Sequence, residues 1–165
     1  MNLIVAVDKD WGIGRDNGLL ASVPGDMAYF KEKTMGHVVV FGRKTLESFP
    51  HQRGLPKRTN IVLTTNPDFE AERCEIAHSE EELAQMLAPY DSEDIFIIGG
   101  ESIYKRFYER CDKLYVTKLD GAFGADRFMV NLDEDDRFEV TWESEPQEDH
   151  GIQYRFCLYE RKKDR

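Results

Sequence analysis

Apolar residues along this chain gather in short runs divided by glycine- and proline-marked turns. Leu3 to Val7 is a continuous apolar run with β-branched members, and such a run predicts a strand buried on both faces. His37–Phe41, Asn60–Thr64, Cys74–Ala77, Ile95–Ile98 and Leu114–Leu119 read as further strands. Helical spacing appears between them. Pro24 starts one helix that ends near Thr34–Gly36, with Met27 and Phe30 on a face predicted to turn inward. Gly42-Arg43-Lys44-Thr45 turns into a short helix through Leu46 and Phe49, which Pro50 stops. Ser79 and Glu82 form a capping box before the stripe Leu83, Met86, Leu87, and Gly99-Gly100 opens a helix carrying Ile103, Tyr104 and Phe107. Leu119 to Asp136 contains an acidic stretch predicted to be mostly solvated. Phe138–Trp142 and Tyr154–Tyr159 alternate like the strands of an antiparallel hairpin, with Pro146–Gly151 as its loop. The pattern predicts an α/β fold: a single domain over 1–165, with a twisted, mostly parallel sheet of about eight strands, about four flanking helices and a C-terminal antiparallel hairpin.

Charge narrows the partners. With 22 Lys and Arg against 32 Asp and Glu, the formal charge of −10 repels a polyanion over most of the surface, so nucleic acid is excluded as a partner. Any phosphate must sit in a local basic pocket. The three cysteines, Cys74, Cys111 and Cys157, lack C-x-x-C spacing or an adjacent His, which points to free thiols in a reducing compartment and to no metal site. The apolar start is too short for a signal peptide and no run is long enough to cross a bilayer, so a cytoplasmic protein is expected.

Trp11 to Thr34 concentrates the chemistry. It begins as a loop with Gly12, Gly14 and Gly18 and becomes a helix whose first turn carries Asp26. An acid there is ordinarily explained by the helix dipole, a stabilisation of about 0.3–1 kcal/mol. Here Leu19, Leu20, Val23, Met27 and Phe30 surround it, and no Lys or Arg lies between Arg15 and Lys31 to pair with it locally. A carboxylate in such surroundings is costly or has a ligand to meet. Three strand ends also lead into turns able to bind phosphate: Gly42-Arg43-Lys44-Thr45, Thr64-Thr65 and Gly99-Gly100-Glu101-Ser102. Structural need for glycine explains each alone; together they suit a dinucleotide. A Rossmann fingerprint built on Gly12-Ile13-Gly14 fails, because the third glycine is Gly18 and no helix starts before Pro24.

The segments 4–14 (I-V-A-V-D-K-D-W-G-I-G), Pro24/Asp26/Phe30, 42–45 (G-R-K-T), 55–58 (L-P-x-R), 60–64 (N-I-V-L-T), 97–100 (I-I-G-G) and 114–117 (L-Y-V-T), in this order over nearly the whole chain, resemble dihydrofolate reductases. The resemblance implies NADPH-dependent reduction of 7,8-dihydrofolate to tetrahydrofolate, by hydride transfer to C6 and water-mediated protonation at N5, in one-carbon and thymidylate metabolism. It implies a monomer that acts on a small molecule and has antifolate inhibitors among its ligands. Asp26 would be the catalytic acid, holding the pterin's 2-amino group and N3 with support from Thr117 and the carbonyls of Ile4 and Ile98. Val5, Leu19, Met27, Phe30, Phe49, Leu55 and Tyr104 would complete the substrate pocket, and Arg58 would take the glutamate tail. Ala6, Ile13 and Gly14 would meet the nicotinamide. Gly42, Lys44, Thr45, Gly99, Gly100, Glu101, Ser102 and Ile103 would surround the pyrophosphate, and Arg43, Leu63, Thr64 and Thr65 the adenosine end with its 2′-phosphate. The Gly12–Gly18 loop would be the lid.

Two departures from the family pattern stand out. Leu20-Ala21 replaces a common Pro-Trp, which puts the ordering of active-site water and lid closure in question; Arg127 and Val130 stand where a threonine and a proline usually follow the residue matching Asp126. Two other readings remain: a related pyrimidine reductase of riboflavin synthesis, whose substrate has no tail for Arg58, and a catalytically silent folate- or nucleotide-binding domain.

Overall fold

β1 (Asn2–Val7) is buried on both faces because it lies between two parallel neighbours, β6 (Ile95–Gly99) and β7 (Lys113–Leu119). Beyond β6 the sheet continues in parallel through β3 (Val38–Gly42), β4 (Thr59–Leu63) and β5 (Cys74–Ala77). On the other side β11 (Ile152–Arg161) runs antiparallel to β7, and its outer edge is shared by β9 (Phe138–Glu143) and β10 (Gln147–Asp149). The order β10–β11–β7–β1–β6–β3–β4–β5, with β9 beside β11, is the expected mostly parallel sheet with an antiparallel C-terminal end. Four α-helices connect the strands: α1 (Pro24–Thr34), α2 (Arg43–Glu47), α3 (Glu80–Leu87) and α4 (Glu101–Phe107). The computed structural model describes residues 1–16, 18–21 and 23–163. Among these, no helix is long and apolar enough to cross a membrane.

Alternation along β1 divides the core. Leu3, Val5 and Val7 pack with Val38, Val40, Ile97, Tyr104 and Leu114 on one face of the sheet. Ile4 packs on the other with Val39, Phe41, Val62, Phe96 and Ile98.

Three local expectations change. The 119–136 stretch is not simply solvated: Arg127–Phe128 forms a short strand, β8, that pairs with β2 (Gly12–Gly14), while Met129 and Leu132 are buried. The loop expected over Pro146–Gly151 contracts to a two-residue turn, His150-Gly151, with φ of 51° and 78°, because residues 147–149 extend as β10. The capping box is also displaced by one residue. Ser79 Oγ accepts the Glu82 N–H at 3.0 Å, but the Glu82 carboxylate accepts the N–H of His78 at 2.5 Å.

Asp8 ties the loop containing β2 to the sheet. Its buried carboxylate accepts the N–H groups of Gly12 at 2.8 Å, Asp10 at 2.9 Å and Phe123 at 3.1 Å, joining segments more than a hundred residues apart. Gly12 must be glycine here, since a Cβ would collide with Ala125 and crowd Asp8 Oδ1 at 3.0 Å. Asp8→Ala leaves these donors without an acceptor and is expected to lower unfolding free energy by about 2–4 kcal/mol. Urea denaturation reads this directly; a loss below about 0.5 kcal/mol would show that water replaces the carboxylate without cost.

Candidate active site

α1 begins at Pro24, whose fixed φ and missing N–H suit a first helical position. This sets Asp26 in the first turn, over β7. The Thr117 hydroxyl donates to Asp26 Oδ1 at 2.6 Å, and Thr117 itself is buried. Burial pushes the Asp26 carboxyl above its ordinary pKa, while the Thr117 hydrogen bond pulls it down by less. No cation contributes to the shift, as expected from a chain with no Lys or Arg nearby in sequence.

Residues 27, 30 and 34 share one face of α1, and burial falls along that face toward the N-terminus. Thr34 is fully buried, Phe30 is half-buried and Met27 is 54% exposed. Met27 therefore does not turn into a packed interior. Leu19, at 72% exposed, likewise stands outside the core. The apolar neighbourhood expected around Asp26 is in part accessible surface: Met27 and Leu19 are exposed, while Tyr29 and Phe30 pack against the core. Phe30, Phe49 and Leu55 do converge with Ile4 and Ile98 on one cluster, and the Phe41 and Phe49 rings meet edge to face at 5.2 Å. Val5 differs from the expectation of a pocket wall: alternation directs its side chain to the opposite face of the sheet, so only its backbone remains for a ligand. Tyr104 is buried on that face too, and its hydroxyl donates to the Ile4 carbonyl at 2.7 Å.

Arg58 lies just before β4. Its Nη1 donates to Thr34 Oγ1 at 3.0 Å and its Nε to the Pro56 carbonyl at 3.0 Å, while no carboxylate of the described residues lies within ion-pair distance. Partial burial lowers its pKa, but a guanidinium stays charged. Asn60, which sequence reasoning did not single out, fixes this loop. It accepts the Leu55 N–H at 2.8 Å and donates to the carbonyls of Leu55 and Arg58 at 2.9 and 3.0 Å. A buried asparagine inside an otherwise apolar strand was the available signal.

The three candidate phosphate turns follow β3, β4 and β6, which are adjacent in the sheet. A Cβ on Gly42 would stand 3.1 Å from Ile103, and one on Gly100 would stand 3.3 Å from Thr45 Oγ1, so the starts of α2 and α4 are packed together through glycine. Neither helix start has a side-chain cap. Gly99, with φ of 129°, completes this surface. Arg43 and Lys44 are exposed, with Arg43 Nε 3.9 Å from Glu47; register pairing of Gly42 with Leu63 places Thr64 and Thr65 beside them. Ser102 and Ile103 follow in the first turn of α4. The Glu101 carboxylate is engaged elsewhere, accepting the Phe128 N–H at 2.7 Å with Lys105 at 3.8 Å. Ala6 pairs with Thr117 across β1 and β7. Ile13 and Gly14 lie on β2, which Asp126 holds: its N–H donates to the Gly14 carbonyl at 2.9 Å and its Oδ2 accepts the Asp16 N–H at 3.1 Å. The loop with Arg127 in place of threonine thus still contacts the 12–18 loop.

The family model described as dihydrofolate reductase matches residues 1–161. A dihydrofolate reductase of Staphylococcus haemolyticus is 40% identical over 162 residues, covering 98% of this chain and 95% of that protein. One of Bacillus subtilis is 36% identical over 163 residues, covering 98% and 95%. The solved structure of dihydrofolate reductase from Enterococcus faecalis complexed with NADP(H) and RAB-propyl superposes with a TM-score of 0.87 at 33% identity, covering 98% of this chain and 96% of that one.

The raised pKa of Asp26 has a consequence for stability. Its ionised form is disfavoured in the folded protein, so folding loses stability as pH rises through the ordinary aspartate value and up to the raised one. Asp26→Asn removes that penalty and is expected to be more stable than wild type at pH 7, with the gain vanishing below the ordinary aspartate pKa of about 3.9. Thermal unfolding of both proteins across this range tests it; a pH-independent difference would contradict the assigned cause.

Proposed function

This chain belongs to the dihydrofolate reductase family and is an NADPH-dependent oxidoreductase, and we propose that it reduces 7,8-dihydrofolate by hydride transfer to C6 with water-mediated protonation at N5. The observation that carries this reading is the half-buried Asp26, hydrogen-bonded to Thr117 and, among the described residues, without a neighbouring cation. A carboxylate so placed offers two oxygens to the flat amino-pyrimidine edge of a pterin, through two charge-assisted hydrogen bonds. Thr117 orients it. By binding that edge, Asp26 raises the basicity of the ring at N5, where a water delivers the proton.

The remaining groups fit the same ligands. Arg58, with no carboxylate partner among the described residues, is a site for the substrate's glutamate tail. The glycine-lined junction of α2 and α4, with Arg43 and Lys44 alongside, brings together two helix starts without side-chain caps where added side chains are excluded by contact, which fits a pyrophosphate flanked by a 2′-phosphate. NADPH, when bound there, supplies the hydride. The 12–18 loop, held by Asp126 and rooted on Asp8, is placed to exclude bulk water from the reacting edge.

Loss of NADPH absorbance on adding dihydrofolate is the direct assay. In it, Asp26→Asn is expected to lower turnover by about 10²–10⁴; wild-type rates at neutral pH would overturn the assignment. Arg58→Ala is expected to raise KM for dihydrofolate about 10–100-fold, the loss of a charged hydrogen bond of roughly 1.5–3 kcal/mol. A pterin without the glutamate tail should be indifferent to that change. Equal losses on both would mean that Arg58 shapes the loop instead of binding a carboxylate.

A further inference from the structure

We propose that the C-terminal hairpin of β10 and β11 positions the catalytic helix: Asp149 caps the N-terminus of α1 from across the sheet, and Tyr154 seats it, leaving the Asp26 carboxylate free for substrate. This rests on the reading of Asp26 given above.

The backbone donors at the start of α1 can be counted one by one. Val23, the N-cap, offers no side-chain acceptor, and Pro24 has no N–H. Asp26 and Met27 both donate to the Val23 carbonyl, at 3.0 and 3.1 Å. Of the first three helical residues Gly25 is left, and its N–H donates to Asp149 Oδ2 at 2.7 Å. An acidic side chain at this third helical position can turn back onto the N–H of the N-cap residue. Here Asp26 points to Thr117 instead, and the Gly25 N–H is taken by Asp149, 124 residues away in sequence. Asp149 is well held for this task, since it is the last residue of β10 and pairs with Ile152 across the His150-Gly151 turn.

Besides this hydrogen bond, two aromatic rings of the hairpin meet α1. A Cβ at Gly25 would overlap Tyr154 Oη, so glycine lets the helix settle directly on the buried Tyr154 ring. One turn later Tyr29 stacks on Phe156 with ring centroids 3.9 Å apart and planes 14° from parallel. Residues 25 and 29 on one helix face thus meet residues 154 and 156 on one strand face. Phe156 is in turn the register partner of Thr117. The strand that seats the helix therefore also pairs with the strand that holds the acid's hydroxyl partner. Asp149 and Tyr154 are positioning residues, since neither needs to touch substrate.

The test is steady-state reduction of dihydrofolate by the full-length protein, with amide hydrogen exchange at Gly25 followed by NMR. Asp149→Ala is expected to lower kcat/KM for dihydrofolate about tenfold, by loosening the acid's placement, while KM for NADPH stays unchanged. Asp149→Asn keeps an acceptor oxygen and is expected to recover activity to within about twofold, with Gly25 again protected. Gly25→Ala should be impaired, and adding Tyr154→Phe, which removes the overlapping oxygen, should restore it in part. A hairpin that served stability alone would change the folded fraction and leave both KM values untouched. The proposal is overturned if Asp149→Ala loses Gly25 protection yet keeps its kcat/KM, or if Asp149→Asn is as impaired as Asp149→Ala. A wild-type protein that leaves dihydrofolate unreduced refutes the role of Asp26, and with it the catalytic purpose of the hairpin, even where Gly25 remains protected.

Discussion

The contact between Asp26 and Thr117 is the constraint around which the other elements are set. A carboxylate that is half-buried, has no cation beside it among the described residues and receives a single hydroxyl is held at a cost, visible in its raised pKa. Such an arrangement persists only when its surroundings leave no cheaper one. Pro24 fixes where the helix starts, so the acid cannot slide along the chain. β7 is fixed by pairing with β1 on one side and β11 on the other, so Thr117 cannot withdraw. Burial along α1 declines toward Met27, which keeps the acid near accessible apolar surface instead of sealing it in the core.

Around this centre, carboxylates serve as fasteners between backbone segments. Asp8 joins the start of the 8–23 loop to residue 123, Asp126 joins it to the stretch containing β8, and Glu101 joins β8 to the first turn of α4. Each accepts main-chain N–H groups, and an ionised acceptor makes the stronger kind of hydrogen bond. Their combined effect is a connected path from the junction of α2 and α4, through β8, to the loop beside the acid. The start of α4 is thus linked to β2 through the Glu101 side chain and the backbone pairing of β8 with β2.

The sequence revealed what depends on short spacing. Continuous apolar runs marked the parallel strands, Pro24 marked the helix start, and an acid without a local cation marked Asp26. What escaped depended on distance along the chain. β2 and β8 are too short to carry a periodic pattern, and each forms only because the other is opposite. β10 was hidden because Gln147-Glu148-Asp149 is polar enough to read as a loop, and His150-Gly151 is a less familiar pair for a turn with positive φ at both positions. Ile4 and Val5 belong to one motif, yet strand alternation sends their side chains to opposite faces of the sheet. Exposure of Met27 was similarly beyond a helical-wheel argument, which finds the correct face but not how far along it the sheet extends.

Electrostatics sets a final condition. Both ligands of a dihydrofolate reductase are anions, and this chain carries a formal charge of −10. Most of its arginines are already matched: Arg106 and Arg110 share Glu80, Arg137 meets Asp135, and Arg155 meets Glu143 at 2.7 Å. Those pairs lie at the surface, where they contribute little to stability, yet they remove cationic charge from places that would attract ligands unproductively. Arg58 is held differently, by a hydroxyl and a carbonyl that orient it without neutralising it. Arg43 is intermediate, since Glu47 stands 3.9 Å away on the exposed face of α2 and screens it only weakly. Long-range repulsion from an acidic surface therefore coexists with local positive charge at Arg58 and Arg43. Because salt screens the distant repulsion more effectively than contacts inside a cleft, an acidic exterior is compatible with tight holding of anionic ligands at physiological ionic strength.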